Sequence, residues 1–176
     1  IRDSHEPHGR VHAIDACGRA AQAATLDFYR GHTHIPWRGP GAANTVAGTV
    51  SGWALALQHG GGTLPLQQLL EEAIHHAEVG VPITLGGAHI AASKGDELRC
   101  LPGAYARIFE PRGAPLHEGA VLQQPHLART LQRLAHDGLD SFYRGALADD
   151  IAADLRTLGS PLHADDLAAH TAEASV

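Results

Sequence analysis

Residues 65–79 read PLQQLLEEAIHHAEV, and this stretch carries the clearest regular pattern in the chain. Its apolar residues recur at spacings of three and four, which is typical of one face of an amphipathic helix. These residues are Leu66, Leu69, Leu70, Ala73, Ile74 and Ala77. Thr63 is a plausible N-cap, Pro65 suits the first turn and Gly80 stops the pattern. The sequence therefore predicts a helix over residues 65–79.

The sequence on either side of this stretch is also predicted to be largely helical. Further helices are expected at residues 20–29, 46–59, 125–137, 140–158 (with a break at Gly145) and 164–169. Strands are expected at residues 11–16 and within 171–176, and residues 4–10 resemble a turn. Loop is predicted for residues 31–43, and an irregular surface segment for 102–124. The predicted fold class is mostly α, with strands near both ends.

The composition restricts the possible classes of protein. The chain has 176 residues, 44% of them hydrophobic, which suits one globular domain or part of one. A net charge of -6 gives no reason to expect a nucleic-acid partner. No apolar run approaches the roughly 20 residues of a membrane span. Methionine is absent, so we expect a processed chain or a piece of a longer one, and the localisation stays open.

Histidine is abundant, with 14 residues, but its spacing does not predict a metal site. His75 and His76 are adjacent, so on a helix they point about 100° apart and cannot both face one ion. His5 and His8 are one residue short of the HExxH spacing, and Pro7 disfavours a helix there. We therefore predict no metal and no cofactor.

Motifs for nucleophiles and phosphate binding are absent or incomplete. Ser51 lacks the glycine two residues before it that a GxSxG elbow needs, and residues 60–62, all glycine, are better explained as a helix stop. Five carboxylates are expected on solvated helix surfaces or at helix N-termini. These are Asp149, Asp150, Asp154, Asp165 and Asp166.

Two residues after the first predicted strand carry possible site chemistry. Cys17 is best interpreted as a small buried residue, although a thiolate beside Arg19 would be reactive. Arg19 can project from the strand end and bind a carboxylate through two parallel hydrogen bonds. An ion pair with Asp15 or Asp27 is the alternative, and the local residues alone favour it.

Several segments, taken in order and at their spacing, carry a family resemblance. They are Ala13-Ile14-Asp15, Arg19-Ala20, Ala24-Thr25, Val46-Ala47-Gly48-Thr49-Val50-Ser51-Gly52-Trp53, Glu72-Ala73-Ile74-His75-His76-Ala77-Glu78-Val79-Gly80, Glu118-Gly119, Leu127-Ala128-Arg129-Thr130-Leu131, Phe142-Tyr143-Arg144-Gly145 and Asp165-Asp166-Leu167. Together they resemble the large-subunit region of the γ-glutamyltransferase (γ-glutamyltranspeptidase) family.

This resemblance implies that the parent is an α/β N-terminal-nucleophile hydrolase with a four-layer αββα sandwich. Residues 1–176 would be part of one domain, with the start of the large subunit and the whole small subunit outside the chain. Such a parent cuts itself before a Thr, which then attacks a γ-glutamyl or related acyl amide such as glutathione, without a cofactor. That Thr is expected beyond Val176, so no catalytic residue is assigned within the chain. We expect the chain alone to be inactive, and its partner to be the small-subunit segment of the same precursor.

One departure from the family concerns the predicted substrate contact. The family's carboxylate-binding Arg aligns with Cys17, which suggests a divergent, acylase-like branch. Arg19, two residues further on, is the residue assigned here to substrate binding. Two other hypotheses stay open: a non-catalytic helical binding domain derived from the family and, less strongly supported, a histidine-rich metal-binding module.

Overall fold

A computed structural model describes residues 11–175, in which helices make up most of the regular structure. The helices are α1 (Thr49–Gly60), α2 (Leu66–Val79), α3 (Leu85–Arg99), α4 (Tyr105–Phe109), α5 (Pro125–Asp137), α6 (Ala146–Leu158) and α7 (Ala164–Ala168). The strands are β1 (Ala13–Asp15), β2 (Val81–Pro82), β3 (Val121–Leu122) and β4 (Glu173–Ser175). Short 3-10 helices cover Pro40–Ala42 and Leu139–Phe142. The mostly helical prediction with a strand near each end is confirmed, whereas the αββα sandwich of the parent stays a prediction.

The core forms where α2 and α5 pack against each other. On α2 the buried stripe runs through Leu66, Leu70, Ile74 and Ala77, as the periodicity predicts. Leu69 and Ala73 are also predicted on this stripe, but both are exposed, because each lies one position before a residue that faces α5. The cluster of buried residues continues from α5 into the neighbouring elements. It comprises Ala21, Val46, Val50, Leu70, Leu131, Leu134, Leu139, Tyr143, Leu147, Ala148, Leu162 and Leu167.

Glycines end the helices where the sequence predicts. Gly61 adopts the left-handed conformation after α1, and Gly159 does the same after α6. Gly145 separates the 3-10 helix from α6, which confirms the predicted break. The predicted N-cap Thr63 is wrong, because α2 begins at Leu66 directly after Pro65.

The helix predicted over residues 20–29 is wrong, because tertiary contacts hold that backbone in turns. Ala20 forms an isolated bridge with Thr45, and the Ala21 amide donates to the Asn44 carbonyl at 2.8 Å. The Gln22 amide donates to Asp166 Oδ1 at 2.9 Å. These partners replace the hydrogen bonds that a helix would make within itself.

Residues 81–124 contain more regular structure than predicted. Helix α3 received no assignment from the sequence, although Thr84 accepts a hydrogen bond from the Gly87 amide at 3.1 Å and caps its first turn. The segment 102–124, predicted to be irregular, includes α4 and β3. Strand β3 pairs antiparallel with β2.

Strand β1 pairs antiparallel with β4, so the two ends of the described chain meet in one small sheet. The register sets Ala13 opposite Ser175, Ile14 opposite Ala174 and Asp15 opposite Glu173. Both strands confirm predictions, although each is shorter than its predicted range. The turn predicted for residues 4–10 lies outside the described residues, as does Val176. Within the part of the chain that the structure covers, no helix is long and apolar enough to cross a membrane.

Candidate functional site

The end of β1 crosses the start of α1 at two closely packed glycines. A Cβ atom on Gly18 would lie 1.6 Å from the Val46 carbonyl oxygen. A Cβ atom on Gly48 would lie 1.7 Å from the Ala16 carbonyl oxygen. The Val46 amide also donates to the Arg19 carbonyl at 3.0 Å. The backbone that carries Cys17 and Arg19 is therefore fixed directly over the first turn of α1.

A turn at Asp15 ends β1. Asp15 Oδ1 accepts a hydrogen bond from the Cys17 amide at 2.8 Å, and this bond lowers the pKa of the Asp15 carboxyl. The Asp15 carboxylate in turn raises the pKa of the Cys17 thiol. Cys17 is exposed, so its interpretation as a buried residue is wrong. A raised thiol pKa also argues against a reactive thiolate at this position.

Arg19 lies at the surface, beyond the end of the strand. Its guanidinium Nη2 is 3.7 Å from Glu173 Oε1, and the two side chains are 82% and 75% exposed. The predicted alternative, an ion pair, is thus confirmed, but with a different partner, because Asp27 pairs with Arg30 and Asp15 binds the Cys17 amide. Exposed ion pairs contribute little to stability. The guanidinium is therefore accessible to an anionic ligand that competes with Glu173.

Tyr143 and Ser51 tie the first turn of α1 to the chain before β4. The Tyr143 hydroxyl donates to the Ala47 carbonyl at 2.7 Å and accepts from the Ser51 amide at 2.9 Å. Ser51 Oγ accepts from the Ala172 amide at 2.7 Å. Burial raises the pKa of Tyr143, so its hydroxyl stays protonated at neutral pH. Ser51 therefore has a structural role here, which agrees with the failed GxSxG match.

His170 lies beneath the same crossing. The residue is 4% exposed, and its ring centroid is 5.2 Å from that of Tyr143. Its Nε2 atom has no hydrogen-bond partner and lies 3.0 Å from the Cβ position of Gly48. Burial, helped by the positive charges of Arg19 and Arg144, lowers the pKa of His170. The ring is therefore neutral where the end of β1 meets α1.

The predicted carboxylates are spread over the surface with one exception. Asp166 is buried, and its side chain accepts hydrogen bonds from the amides of His163 and Gln22. Its predicted place at a helix N-terminus is confirmed, because it caps α7, and through Gln22 it also holds the segment after β1. Asp150 pairs with Arg133 at 2.6 Å on the outer face of α6.

The adjacent histidines of α2 belong to no group of described side chains that could hold a metal ion. The rings of His75 and His76 have centroids 5.7 Å apart on α2, and His76 lies 3.9 Å from Glu72. Among the described residues, no group of three His, Cys, Asp or Glu side chains could hold an ion. His5 and His8 lie outside the described residues.

Sequence reasoning identified Arg19 but missed three residues at or near the crossing of β1 and α1. Glu173, Tyr143 and His170 come from the last third of the chain, and only the fold brings them to the end of β1. Tyr143 lies within a segment that carries the family resemblance, which is the one signal that could have found it.

Comparisons with known proteins agree on one family. The profile of the family described as Gamma-glutamyltranspeptidase matches residues 4–176. A curated relative from Klebsiella pneumoniae, named oxamate amidohydrolase proenzyme, is 49% identical over 170 residues, covering 94% of this chain and 32% of the relative. A glutathione hydrolase-like proenzyme from Bacillus subtilis is 34% identical over 169 residues, covering 96% of this chain and 32% of the relative.

The fold also matches a solved structure. The crystal structure of cephalosporin acylase from Bacillus halodurans superposes with a TM-score of 0.83 at 30% identity, covering 95% of this chain and 32% of that one. The chain thus spans about a third of the length of the curated relatives, which are 32% covered.

Proposed function

Because the chain belongs to the γ-glutamyltranspeptidase family, we propose that it is the large-subunit portion of an amidohydrolase that cleaves small amides bearing a carboxylate. The exposed guanidinium of Arg19, whose backbone is fixed over the start of α1, is the observation that carries this proposal. In this role Arg19 binds the carboxylate of the substrate, and Glu173 is the internal partner that the substrate displaces. Residues 1–176 are then part of one domain of the parent.

The substrate class is supported by the chemistry at Cys17 and by the relatives. By the family resemblance the carboxylate-binding Arg would fall near Cys17, whose thiol has a raised pKa, and in this proposal the anionic contact moves to Arg19. The 49% identical relative is named for oxamate, a short amide with a carboxylate beside the carbonyl. Oxamate is therefore the first substrate to test. A γ-glutamyl amide such as glutathione is the second, on the name of the 34% identical relative.

The proposed mechanism follows that of N-terminal-nucleophile enzymes. The hydroxyl oxygen of a Thr at the start of the small subunit attacks the amide carbonyl, and its own α-amine accepts the proton. Hydrogen-bond donors stabilise the oxyanion that forms. Collapse expels ammonia or an amine, which takes up that proton, and water then hydrolyses the acyl-enzyme ester. Both relatives are named proenzymes, which supports a precursor whose small-subunit segment supplies this Thr.

Steady-state kinetics of the full-length protein test the role of Arg19. Ammonia release from oxamate and nitroaniline release from γ-glutamyl nitroanilide are measured for the unchanged protein, Arg19→Gln and Arg19→Lys. Loss of a charge-assisted hydrogen bond costs about 1.5–3 kcal/mol, so Arg19→Gln is expected to lower kcat/KM for oxamate by about 10- to 100-fold, mainly through KM. Arg19→Lys keeps the charge and should retain part of the activity.

Arg30→Gln is the matched control, because Arg30 is also exposed and pairs with its own neighbour Asp27. It should leave the kinetics unchanged. Equal kinetics for Arg19→Gln and the unchanged protein would remove Arg19 from the site. If the full-length protein releases neither product, the alternative of a non-catalytic binding domain takes precedence.

A further inference from the structure

A cleft lies between α4 and the chain that leads from it to α5. Its volume is about 860 Å³, which is within the usual range of small-molecule sites. Apolar side chains that include Ile108, Leu116 and Leu122 form its walls. Arg107, Arg112 and His117 bring polar and charged groups to it, and none of the described carboxylates lines it.

The two arginines of this cleft differ from most others in the described chain, because their side chains make no ion pair and no hydrogen bond with any described residue. Arg99, on the neighbouring α3, instead contacts both Asp96 and Glu110. The protein carries a net charge of -6, yet none of the carboxylates in the described part of the chain lines the cleft with Arg107 and Arg112. Two guanidinium groups are thus left for an anion from outside.

The walls of the cleft are held in place at both ends. Near α4, the Leu116 amide donates to the Phe109 carbonyl at 3.1 Å, and the Gly113 amide donates to the Glu110 carbonyl at 2.9 Å. Glu110 is buried and bound to Arg99, which ties this wall to α3. At the other end, the Ile83 amide donates to the Ala120 carbonyl at 2.8 Å. A cleft fixed in this way binds without first having to order its own loop.

We propose that this cleft is a second ligand site, which binds a small organic carboxylate with an apolar body. The carboxylate is held by the guanidinium groups of Arg107 and Arg112, whose planar donors match carboxylate geometry. The apolar body packs against Ile108, Leu116 and Leu122. Arg19 does not line this cleft, so the site is separate from the one proposed for the amide substrate.

Calorimetric titration of the full-length protein tests the site with three matched probes. Phenylbutyrate carries the anionic head and the apolar body, acetate carries the head alone, and phenylbutanol carries the body alone. Only phenylbutyrate is expected to bind with a measurable Kd. The double variant Arg107→Gln/Arg112→Gln should weaken that binding by about ten-fold or more, because two charge-assisted contacts are lost.

Two control variants make the result decisive. Arg156→Gln removes another exposed arginine, which lines a different surface together with Asp149 and Asp165, and should not change the Kd. Arg19→Gln separates this site from the proposed substrate site. Phenylbutyrate binding that is lost in Arg19→Gln but kept in the double variant would overturn the proposal, as would the absence of saturable binding. Binding that depends on Arg107 and Arg112 would support it even if oxamate is not hydrolysed.

Discussion

His170 is a titratable residue in surroundings that favour its neutral form. Burial, Arg19 and Arg144 all lower its pKa from the ordinary value of 6.5. In the unfolded chain the imidazole has a pKa of about 6.5, so below that pH the unfolded state binds a proton that the folded state resists. The contribution of neutral His170 to the free energy of unfolding is therefore present above pH 6.5 and is lost as the pH falls through the lowered pKa of the folded state.

Replacing His170 should reduce this acid sensitivity. The melting temperature of the full-length protein is compared at pH 7 and pH 5 for the unchanged protein and for His170→Phe, which cannot be protonated. We expect a smaller decrease for the variant, whose ring also lacks the unpartnered Nε2 atom. His89→Phe, at an exposed position on α3, should behave like the unchanged protein. An equal decrease in all three proteins would contradict the assignment.

At the scale of elements, the contact between β1 and α1 depends on Gly48. A methyl group there would lie 1.7 Å from the Ala16 carbonyl oxygen and 3.0 Å from His170 Nε2. If the backbone at Ala16 or at Gly48 moved apart, it would break the hydrogen bond from the Val46 amide to the Arg19 carbonyl or the pairing of β1 with β4. We expect Gly48→Ala to lower the free energy of unfolding by more than about 3 kcal/mol, measured by urea denaturation.

Gly60→Ala provides the control for that substitution. Gly60 lies in the last turn of α1, and a Cβ atom there would have no neighbour within 4 Å. Alanine is favoured over glycine in helices by about 1 kcal/mol, so this variant should be as stable as the unchanged protein or slightly more so. A small effect of Gly48→Ala would mean that the crossing is looser than the contacts indicate.

The elements that could be predicted from sequence are those whose signal is local. Helices α2 and α5 carry a repeating apolar stripe and end at Gly80 and Gly138, and both lie close to their predicted bounds. Residues 20–29 have helix-forming alanines, but the amides of Ala21 and Gln22 donate to Asn44 and Asp166, which are distant in the sequence. Helix α3 contains Gly86, Gly87 and Gly95, which weaken a helical pattern, and it was not predicted.

The candidate site was predictable only in part for the same reason. Arg19 follows a strand and a glycine, which places it at an edge from local sequence alone. Its partner Glu173 comes from the far end of the chain. The hydroxyl of Tyr143 donates to the carbonyl of Ala47, which is 96 residues away. Contacts of this kind are set by the packing of the helices, which no local pattern encodes.

At the scale of the whole molecule, a set of large apolar side chains remains on the surface. Leu26 is 93% exposed and Trp37 is 86% exposed, while Trp53 on α1 is 44% exposed. The sheet of β1 and β4 has only two strands within the described residues. Exposed apolar surface and unpaired strand edges are typical of regions that another part of a protein covers. The proposed small-subunit segment is suited to this role.

This arrangement leads to a prediction about the chain expressed alone. Without its partner segment it should bind a hydrophobic dye such as ANS and self-associate in light scattering, because the apolar surface and the sheet edges stay uncovered. Co-expression with the remaining sequence of the precursor should reduce both signals, and the two pieces should purify together. A stable, monodisperse chain that binds no dye would contradict the prediction and favour an independent binding domain. The same measurement thus separates the two functional hypotheses before any substrate is known.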